Sequence, residues 1–436
     1  MPPSAAPGIE ATRGSAPGSH YDVVVLGGGV AGMAAAITLR KHSCLSVLVA
    51  DAGQPGRERI GESCPPSILL LLARLGLAEH FLRGGHAPCP GFASVWGRPQ
   101  VGYNDFIGDP AGPAWRLNRP AFDRMLADRA RQLGADVTWG TRFAGVELAA
   151  ADGQRGGGKG LAPMVPSGTS AAATPRDLPS LEWARPRCVA PGSVKSAGFF
   201  LRFEHGHQAT TTCARFLLDA TGPGARFARA LGVSRHVDDR LLAWIRFARI
   251  AAGTLSRQVL LEATREGWWY AASLPDGRVV SMVVADKGTF SSRRGQGVGQ
   301  VARALERTTF VGPALARLSL REEHHRIEAI NSGLLAEAAG PTWMAIGDAA
   351  SSYDPLAAQG IHKALASGMD AAREVVACAA TGSPLPARAY TAGVTERYQL
   401  YRRQRAHFYA LEQRWTDAPF WRNRQRVMQA PVSFRR

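Results

Sequence analysis

The sequence predicts an α/β fold: a strand–turn–helix lobe, an inserted mixed-sheet domain and a helical C-terminal segment. Three observations carry this reading. The apolar run Val23 to Leu26 meets Gly27-x-Gly29-x-x-Gly32 and then the helix former Met33-Ala-Ala-Ala-Ile-Thr-Leu. About 320 residues later Thr342-Trp-Met-Ala-Ile runs into Gly347-Asp348-Ala349, followed by Asp354-Pro355-Leu-Ala-Ala-Gln359-Gly360-Ile361. Between the two, residues 240–335 alternate strand-like runs with turns.

Each part of the opening unit has a physical role. A short, β-branched apolar run is what a buried parallel strand requires. Gly27 permits the tight turn, Gly29 lets backbone approach a pyrophosphate, and Gly32 lets helix and strand pack closely. The helix start at Val30 and Ala31 then presents free N–H groups and partial positive charge to phosphate. A second apolar run, Leu45 to Ala50, ends in Asp51, 24 residues after Gly27. An acid there suits a ribose hydroxyl. The unit is Rossmann-like and does not by itself choose between FAD and NAD.

Composition narrows the class. A chain of 436 residues has length for two or three domains, and 45% hydrophobic with 20% charged residues predicts a packed core. The net charge of +17 comes almost wholly from Arg, since the sequence has only five Lys. Such a surface favours acidic partners by steering, although high-GC codon bias explains some of the Arg equally well. No zinc-finger spacing or RNA-recognition signature is present, so no nucleic acid is expected. Cys44, Cys64, Cys89, Cys188, Cys213 and Cys378 form no C-x-x-C pair, which argues against a metal or redox centre. They read as mostly reduced, buried thiols. Residues 1–19 are rich in Pro, Ala, Gly and Ser and are expected as a disordered tail rather than a signal peptide. No run reaches membrane-spanning length. A soluble, cytoplasmic protein is expected.

Along the chain, Arg59-Ile-Gly61-Glu62-Ser63-Cys64-Pro65-Pro66 leads through its Pro pair into Ser67 to Leu77, apolar on nearly every side and expected to be buried. Residues 84–115, centred on Phe92-Ala-Ser-Val-Trp96-Gly97, read as loops and short strands over a pocket. Asn118 caps a helix that carries Arg119 and Pro120 in its first turn and ends near Gly134. Residues 150–197 lose apolar periodicity and read as a flexible surface insertion. A fold tolerates this, since loop closure costs only about 0.6 kcal/mol per doubling of length. The run to Asp219-Ala220-Thr221-Gly222 reads as a strand ending in another glycine turn. His324-His325 reads as a solvated turn. The expected boundaries are a cofactor-binding domain over 20–83, 117–235 and 336–385, a substrate domain over 84–116 and 236–335, and a basic, aromatic helical segment over 386–436.

These motifs together resemble the FAD-dependent monooxygenases of the p-hydroxybenzoate hydroxylase fold and their relatives, the flavin-dependent halogenases. The resemblance spans roughly residues 20–385 and rests on the first glycine motif, Gly61-Glu62-Ser63, Arg119, Asp219-Ala-Thr221-Gly222, and Gly347-Asp348 with Pro355 and Gly360. It implies FAD as cofactor, held by Gly27, Gly29, Val30, Ala31, Gly32, Asp51, Arg59, Gly61, Ser63, Arg119, Thr221 and Gly222. Asp348 would meet the ribityl hydroxyls and Pro355 would border the isoalloxazine. The Gln359-Gly360-Ile361 helix start would face the ring edge that turns negative on reduction. The electron donor is NAD(P)H or externally supplied reduced flavin, for no second complete Gly-rich nucleotide motif is visible.

Within this group the chain is similar to the flavoprotein monooxygenases of tryptophylquinone cofactor biogenesis, as in quinohemoprotein amine dehydrogenase maturation. The carriers are Gly61-Glu-Ser-Cys-Pro-Pro, Ser94-Val-Trp96-Gly97, Gly267-Trp268-Trp269-Tyr270, Tyr353-Asp-Pro-Leu and Tyr409-Ala-Leu-Glu-Gln-Arg-Trp415. This likeness implies hydroxylation of a tryptophan in an acidic partner polypeptide through a flavin C4a-hydroperoxide. Glu62 is then the candidate acid/base, and Trp96, Trp268, Trp269 and Tyr270 the candidate substrate walls. The departures weigh against chlorination: Trp268-Trp-Tyr-Ala-Ala-Ser-Leu-Pro275 replaces the halogenase Trp-x-Trp-x-Ile-Pro, and no Lys lies between Lys41 and Lys159, where a halogenase lysine would fall. A small-molecule aromatic hydroxylase or a reductase of the same fold is the alternative, and a non-enzymatic flavin or nucleic-acid binder the third.

Overall fold

The computed structural model describes residues 20–148 and 198–426, apart from residues 57, 107 and 292. The 1–19 tail, the 150–197 insertion and Cys188 lie outside the described residues.

A parallel spine organises the first, eight-stranded sheet. Its order is Trp343–Ala345, Gln208–Asp219, His20–Leu26, Val47–Asp51 and Asp136–Trp139. Antiparallel strands Thr141–Leu148 and Phe199–His205 extend it through Gln208–Asp219. The registers pair Leu26 with Asp219, Leu26 with Ala50 and Asp219 with Ala345, so four strand ends finish level. Open α/β sheets take ligands at that edge. The expected buried strand is seen: Val23, Val24, Val25 and Leu26 are at most 1% exposed.

Helices Val30–His42 and Gly360–Thr381 cover one face. They approach closely because Gly368 has no side chain, and a Cβ there would overlap the Ala31 carbonyl oxygen. Arg119–Gln132 packs beside them, capped as expected by Asn118, whose side chain accepts from the Ala121 amide at 3.2 Å.

A seven-stranded sheet forms the second layer. It runs Ser319–Ala329, Leu241–Ala252, Arg278–Asp286, Gly267–Ser273, Val259–Thr264, Gly91–Val95 and Gly102–Asp105. Two strands from residues 91–105 thus join a sheet built mainly from residues 241–329. Helices Ala387–Ala410 and Pro419–Arg426 close the chain and insert Tyr409, Phe420 and Trp421 against Trp268.

Some expectations need correction. The helix after the Pro pair is Ile68–Leu75, and Leu70 stands 62% exposed, so one side of this apolar run faces outward. His324 and His325 lie inside the edge strand Ser319–Ala329, not in a turn. Strand alternation sends them to opposite faces: His324 stacks on Phe247 and pairs with Glu58 at 2.6 Å, while His325 meets Glu322 at 3.0 Å. The described cysteines are free thiols; Cys64, Cys89 and Cys378 are buried, whereas Cys44 is exposed. Among the described residues no helix is long and apolar enough to cross a membrane, and no His/Cys/Asp/Glu cluster could hold a metal ion.

Candidate active site

The sheet edge carries a cradle built by missing side chains. Gly27 has φ +105°, in the left-handed region, and a Cβ there would overlap the Ala220 carbonyl oxygen. A Cβ on Gly32 would overlap the carbonyl oxygen of Gly27 itself. The turn is therefore held tight from both sides, with Val30 and Ala31 starting the helix. Asp51, 9% exposed, fixes the turn: its carboxylate accepts from the Gly28 amide at 2.6 Å and the Gly53 amide at 2.6 Å. Arg59 lies 3.8 Å from Asp51 and 3.9 Å from Asp123, with its Nη1 beside Gly29.

The Thr221-Gly222 turn abuts Gly27, since the Ala220 amide donates to the Leu26 carbonyl at 2.8 Å. Buried Asp219 organises it, accepting from Thr221 Oγ1 at 2.6 Å and from the Phe227 and Ala228 amides at 3.0 Å. Burial pushes this carboxyl above its ordinary value, against the pull of those hydrogen bonds. Arg226 and Arg229 follow on a short helix, and both line an open cleft with Phe143, Gly145 and Gly224.

The second glycine turn closes the cradle. Gly347 has φ +59° and approaches Ala31, where a Cβ would come within 2.8 Å. Asp348 Oδ1 meets Lys363 Nζ at 2.6 Å. Arg235 fastens the same loop from behind, donating to the carbonyls of Asp348 at 3.0 Å and Ala349 at 2.8 Å. Pro355 opens a single helical turn, and Gln359 is the N-cap of Gly360–Thr381. Ile361 Cδ1 lies 3.7 Å from where a Gly61 Cβ would stand, so the 59–63 loop faces this helix start.

That loop carries the candidate catalyst. Arg119, 7% exposed, donates to the carbonyls of Ile60 and Gly61, and reaches Asp123 at 3.3 Å. Glu62 is 6% exposed, and its Oε1 has no hydrogen-bond partner among the described residues. A buried acceptor without a donor is costly. Burial raises the Glu62 carboxyl above its ordinary value, with Arg119 pulling the other way. Ser63 Oγ lies 3.0 Å from the Tyr270 hydroxyl. Burial, and then the Glu62 charge, push that phenol above its ordinary value.

The four aromatic candidates do not form one wall. Trp268 and Tyr270 point to one face of the Gly267–Ser273 strand and Trp269 to the other, among Ala93, Leu260 and Phe290. Trp269 is core on the opposite side of that sheet from Tyr270. Trp268 is fully buried and donates to Tyr409 Oη at 3.0 Å, so it is structural too. Trp96 donates to the Phe408 carbonyl at 2.8 Å and packs on Trp421, joining sheet to C-terminal helices. Tyr270 alone of the four touches the Glu62–Ser63 loop.

Several site-supporting contacts were not foreseen from the sequence. Tyr409 Oη donates to Asp354 Oδ2 at 2.7 Å, and Asp354 Oδ1 accepts from the Leu356 amide at 2.9 Å. The Asp354 amide donates to Tyr401 Oη at 2.7 Å. The C-terminal helices thus hold the Pro355 loop through buried polar groups. Arg405 meets Asp239 at 2.6 Å, and Arg424 meets Asp286 at 2.6 Å. These two arginines of the basic segment point inward. Only the alternation of Tyr398, Tyr401, Arg405 and Tyr409 at helical spacing could have hinted at this face. Tyr409→Phe strands the Asp354 and Trp268 partners and is expected to lower stability by about 1–3 kcal/mol, read by chemical denaturation.

One neighbouring group sets a pH response. His86 Nδ1 accepts from the Asn118 amide at 3.1 Å, and burial drives the ring down to about 4. An unfolded histidine titrates near 6.5. Between these values the unfolded chain takes up a proton that the native chain refuses, so stability falls as pH drops through that window. Thermal melts at successive pH values check this, and His86→Phe is expected to flatten the slope.

The cradle fits FAD. Its glycine turns leave room for a pyrophosphate, Asp51 lies against the first turn, and Asp348 is 43% exposed with only its Oδ1 paired to Lys363. The family model for tryptophan halogenases matches residues 22–106. A putative FAD-dependent oxidoreductase, LodB of Marinomonas mediterranea, is 26% identical over 407 residues, covering 93% of this chain and 96% of its own. Among solved structures, the flavin-dependent halogenase CmlS superposes with a TM-score of 0.73 at 23% identity, covering 94% of this chain and 68% of its own. The peptidyl tryptophan dihydroxylase QhpG, essential for tryptophylquinone cofactor biogenesis, superposes with a TM-score of 0.64 at 23% identity, covering 93% and 79%.

Fold, cradle and similarities together define an FAD-dependent oxidoreductase that uses O2. Within that class the chain is similar to flavin-dependent halogenases, over residues 22–106 by the family model and in fold to CmlS.

Proposed function

We propose that this protein hydroxylates a tryptophan side chain in an acidic partner polypeptide, as a step of quinone cofactor biogenesis. One observation carries the reading: Glu62 presents a buried, unpartnered carboxylate oxygen beside Ser63 and Tyr270, on the loop facing the Gln359-Gly360-Ile361 helix start. An indole N–H is a donor that such an oxygen lacks. The likeness to a peptidyl tryptophan dihydroxylase supports the substrate class, and the net charge of +17 supports an acidic partner.

Bound FAD, once reduced and met by O2, supplies an electrophilic oxygen. Glu62 would accept the indole N–H and take its proton as the ring's electron pair bonds to the delivered oxygen; the O–O bond breaks in the same step, and the second oxygen leaves as water with the two electrons that the reduced flavin supplied. Ser63 and Tyr270 orient the ring edge, and Arg119 holds the loop by its carbonyls. Ile60, Leu356 and Ile330 pack against the Tyr270 face and exclude water.

Halogenation is the second reading, favoured by the matched family model and by CmlS. Against it stands the placement of lysine. The described lysines are Lys41, Lys287 and Lys363, and none stands on the Tyr270 face: Lys41 binds the Arg74 carbonyl, Lys287 follows the strand Arg278–Asp286, and Lys363 is held by Asp348. The deciding experiment supplies reduced FAD-loaded protein with O2, halide and an acidic tryptophan peptide, read by mass spectrometry. Oxygen gained on the tryptophan supports the proposal. A halogen isotope pattern supports the second reading. Faster turnover of free indole or a phenol than of peptide assigns the protein to small-molecule hydroxylation.

A further inference from the structure

We propose that Lys363 belongs to the cofactor site as a positioning residue that sets FAD affinity and potential through Asp348. The pair is asymmetric. Lys363 keeps only 13% of its side chain exposed, while Asp348 keeps 43%. The ammonium sits inside, touching Asp348 Oδ1 at 2.6 Å, donating to the Ser351 carbonyl, and resting 4.0 Å above the Tyr353 ring. Tyr353 is stacked in turn on Tyr401 at 4.0 Å, so the lysine head is confined on that side. The outer oxygen, Asp348 Oδ2, has no hydrogen-bond partner among the described residues.

A role in stability alone does not account for this arrangement. Lysine is rarely buried, and burying an ammonium to pair a half-exposed carboxylate gains little. A leucine or methionine would fill the same volume on a helix whose neighbours Ile361 and Leu365 are apolar. The geometry does have a consequence at the cradle. Fixing Oδ1 on Lys363 leaves Oδ2 of this 43%-exposed side chain as the acceptor that a ribityl hydroxyl would use. The cation also cancels the carboxylate charge beside a cofactor that gains negative charge on reduction. Without Lys363 that carboxylate would both swing freely and oppose reduction.

The test uses the full-length protein loaded with FAD. Lys363→Met is expected to weaken FAD binding about tenfold or more, by fluorescence titration. It is also expected to shift the midpoint potential negative by about 30 mV for each tenfold loss of preference for reduced over oxidised FAD. Lys363→Arg should restore much of both. In the Asp348→Asn background, Lys363→Met should add little, since the two act as one unit. Unchanged affinity and potential in Lys363→Met overturn the inference, even where the FAD-free protein melts lower. Should that variant fail to fold, Lys363→Gln is read by the same two measurements. Wild-type titration with FAD guards the underlying reading separately.

Discussion

Glu62→Gln is expected to keep FAD bound and to lose about 10²–10⁴-fold in turnover, the usual range for removal of a positioned acid/base. The amide has nearly the same shape, so packing under Arg119 survives. It can still accept an indole N–H, yet it cannot take the proton. Burial is the dominant cause acting on this group and raises it above the ordinary glutamate value of 4.5. A base must be ionised, so turnover should rise with pH through an apparent pKa above that value. The Gln variant should lack this limb. A variant that keeps full turnover and the same pH profile would remove Glu62 from the chemistry and leave it as a loop anchor.

Gly32→Ala is expected to give protein that purifies without flavin absorbance. The new methyl meets the Gly27 carbonyl oxygen, which is backbone and cannot rotate away. Overpacking a rigid site costs about 1–3 kcal/mol, and here the strain falls on the turn that must cradle phosphate. Gly299→Ala is the matched control. Its Cβ would meet nothing within 4 Å, in the helix Arg294–Glu306, so FAD content should be unchanged. Normal FAD loading in Gly32→Ala would mean that helix and strand separate more readily than their packing indicates.

What could be read from the sequence follows the reach of each interaction. Gly27 and Gly347 were legible because a positive φ at a turn calls for glycine, and Gly32 because it meets the Gly27 carbonyl five residues before it; the distant residues that also crowd Gly27 and Gly347, Ala220 and Ala31, were not. Asp51 was legible by its fixed distance from the turn. The Asn118 cap was legible because its bond spans three residues. The contacts of Lys363 and Tyr409 were not, because their partners lie 15 and 55 residues away and no periodicity links the two ends. Trp269 was misassigned for a different reason. Trp268-Trp269-Tyr270 was read as one aromatic patch, although any strand sends neighbouring side chains to opposite sides. Arg405 and Arg424 of the basic C-terminal segment are consumed by Asp239 and Asp286 inside the fold, a pairing that composition alone does not reveal.

The strand order of the first sheet also bears on how the protein is made. Trp343–Ala345 pairs with Gln208–Asp219, which pairs with His20–Leu26. The opening strand therefore waits on the ribosome while some three hundred residues emerge before the last member of its sheet exists. Pairings of such long sequence separation fold slowly and leave strand edges open to aggregation. A nascent chain cut before residue 343 should capture no FAD. Supplying flavin during expression should raise the yield of intact protein, because ligand bound only by the finished sheet drains the partly assembled forms.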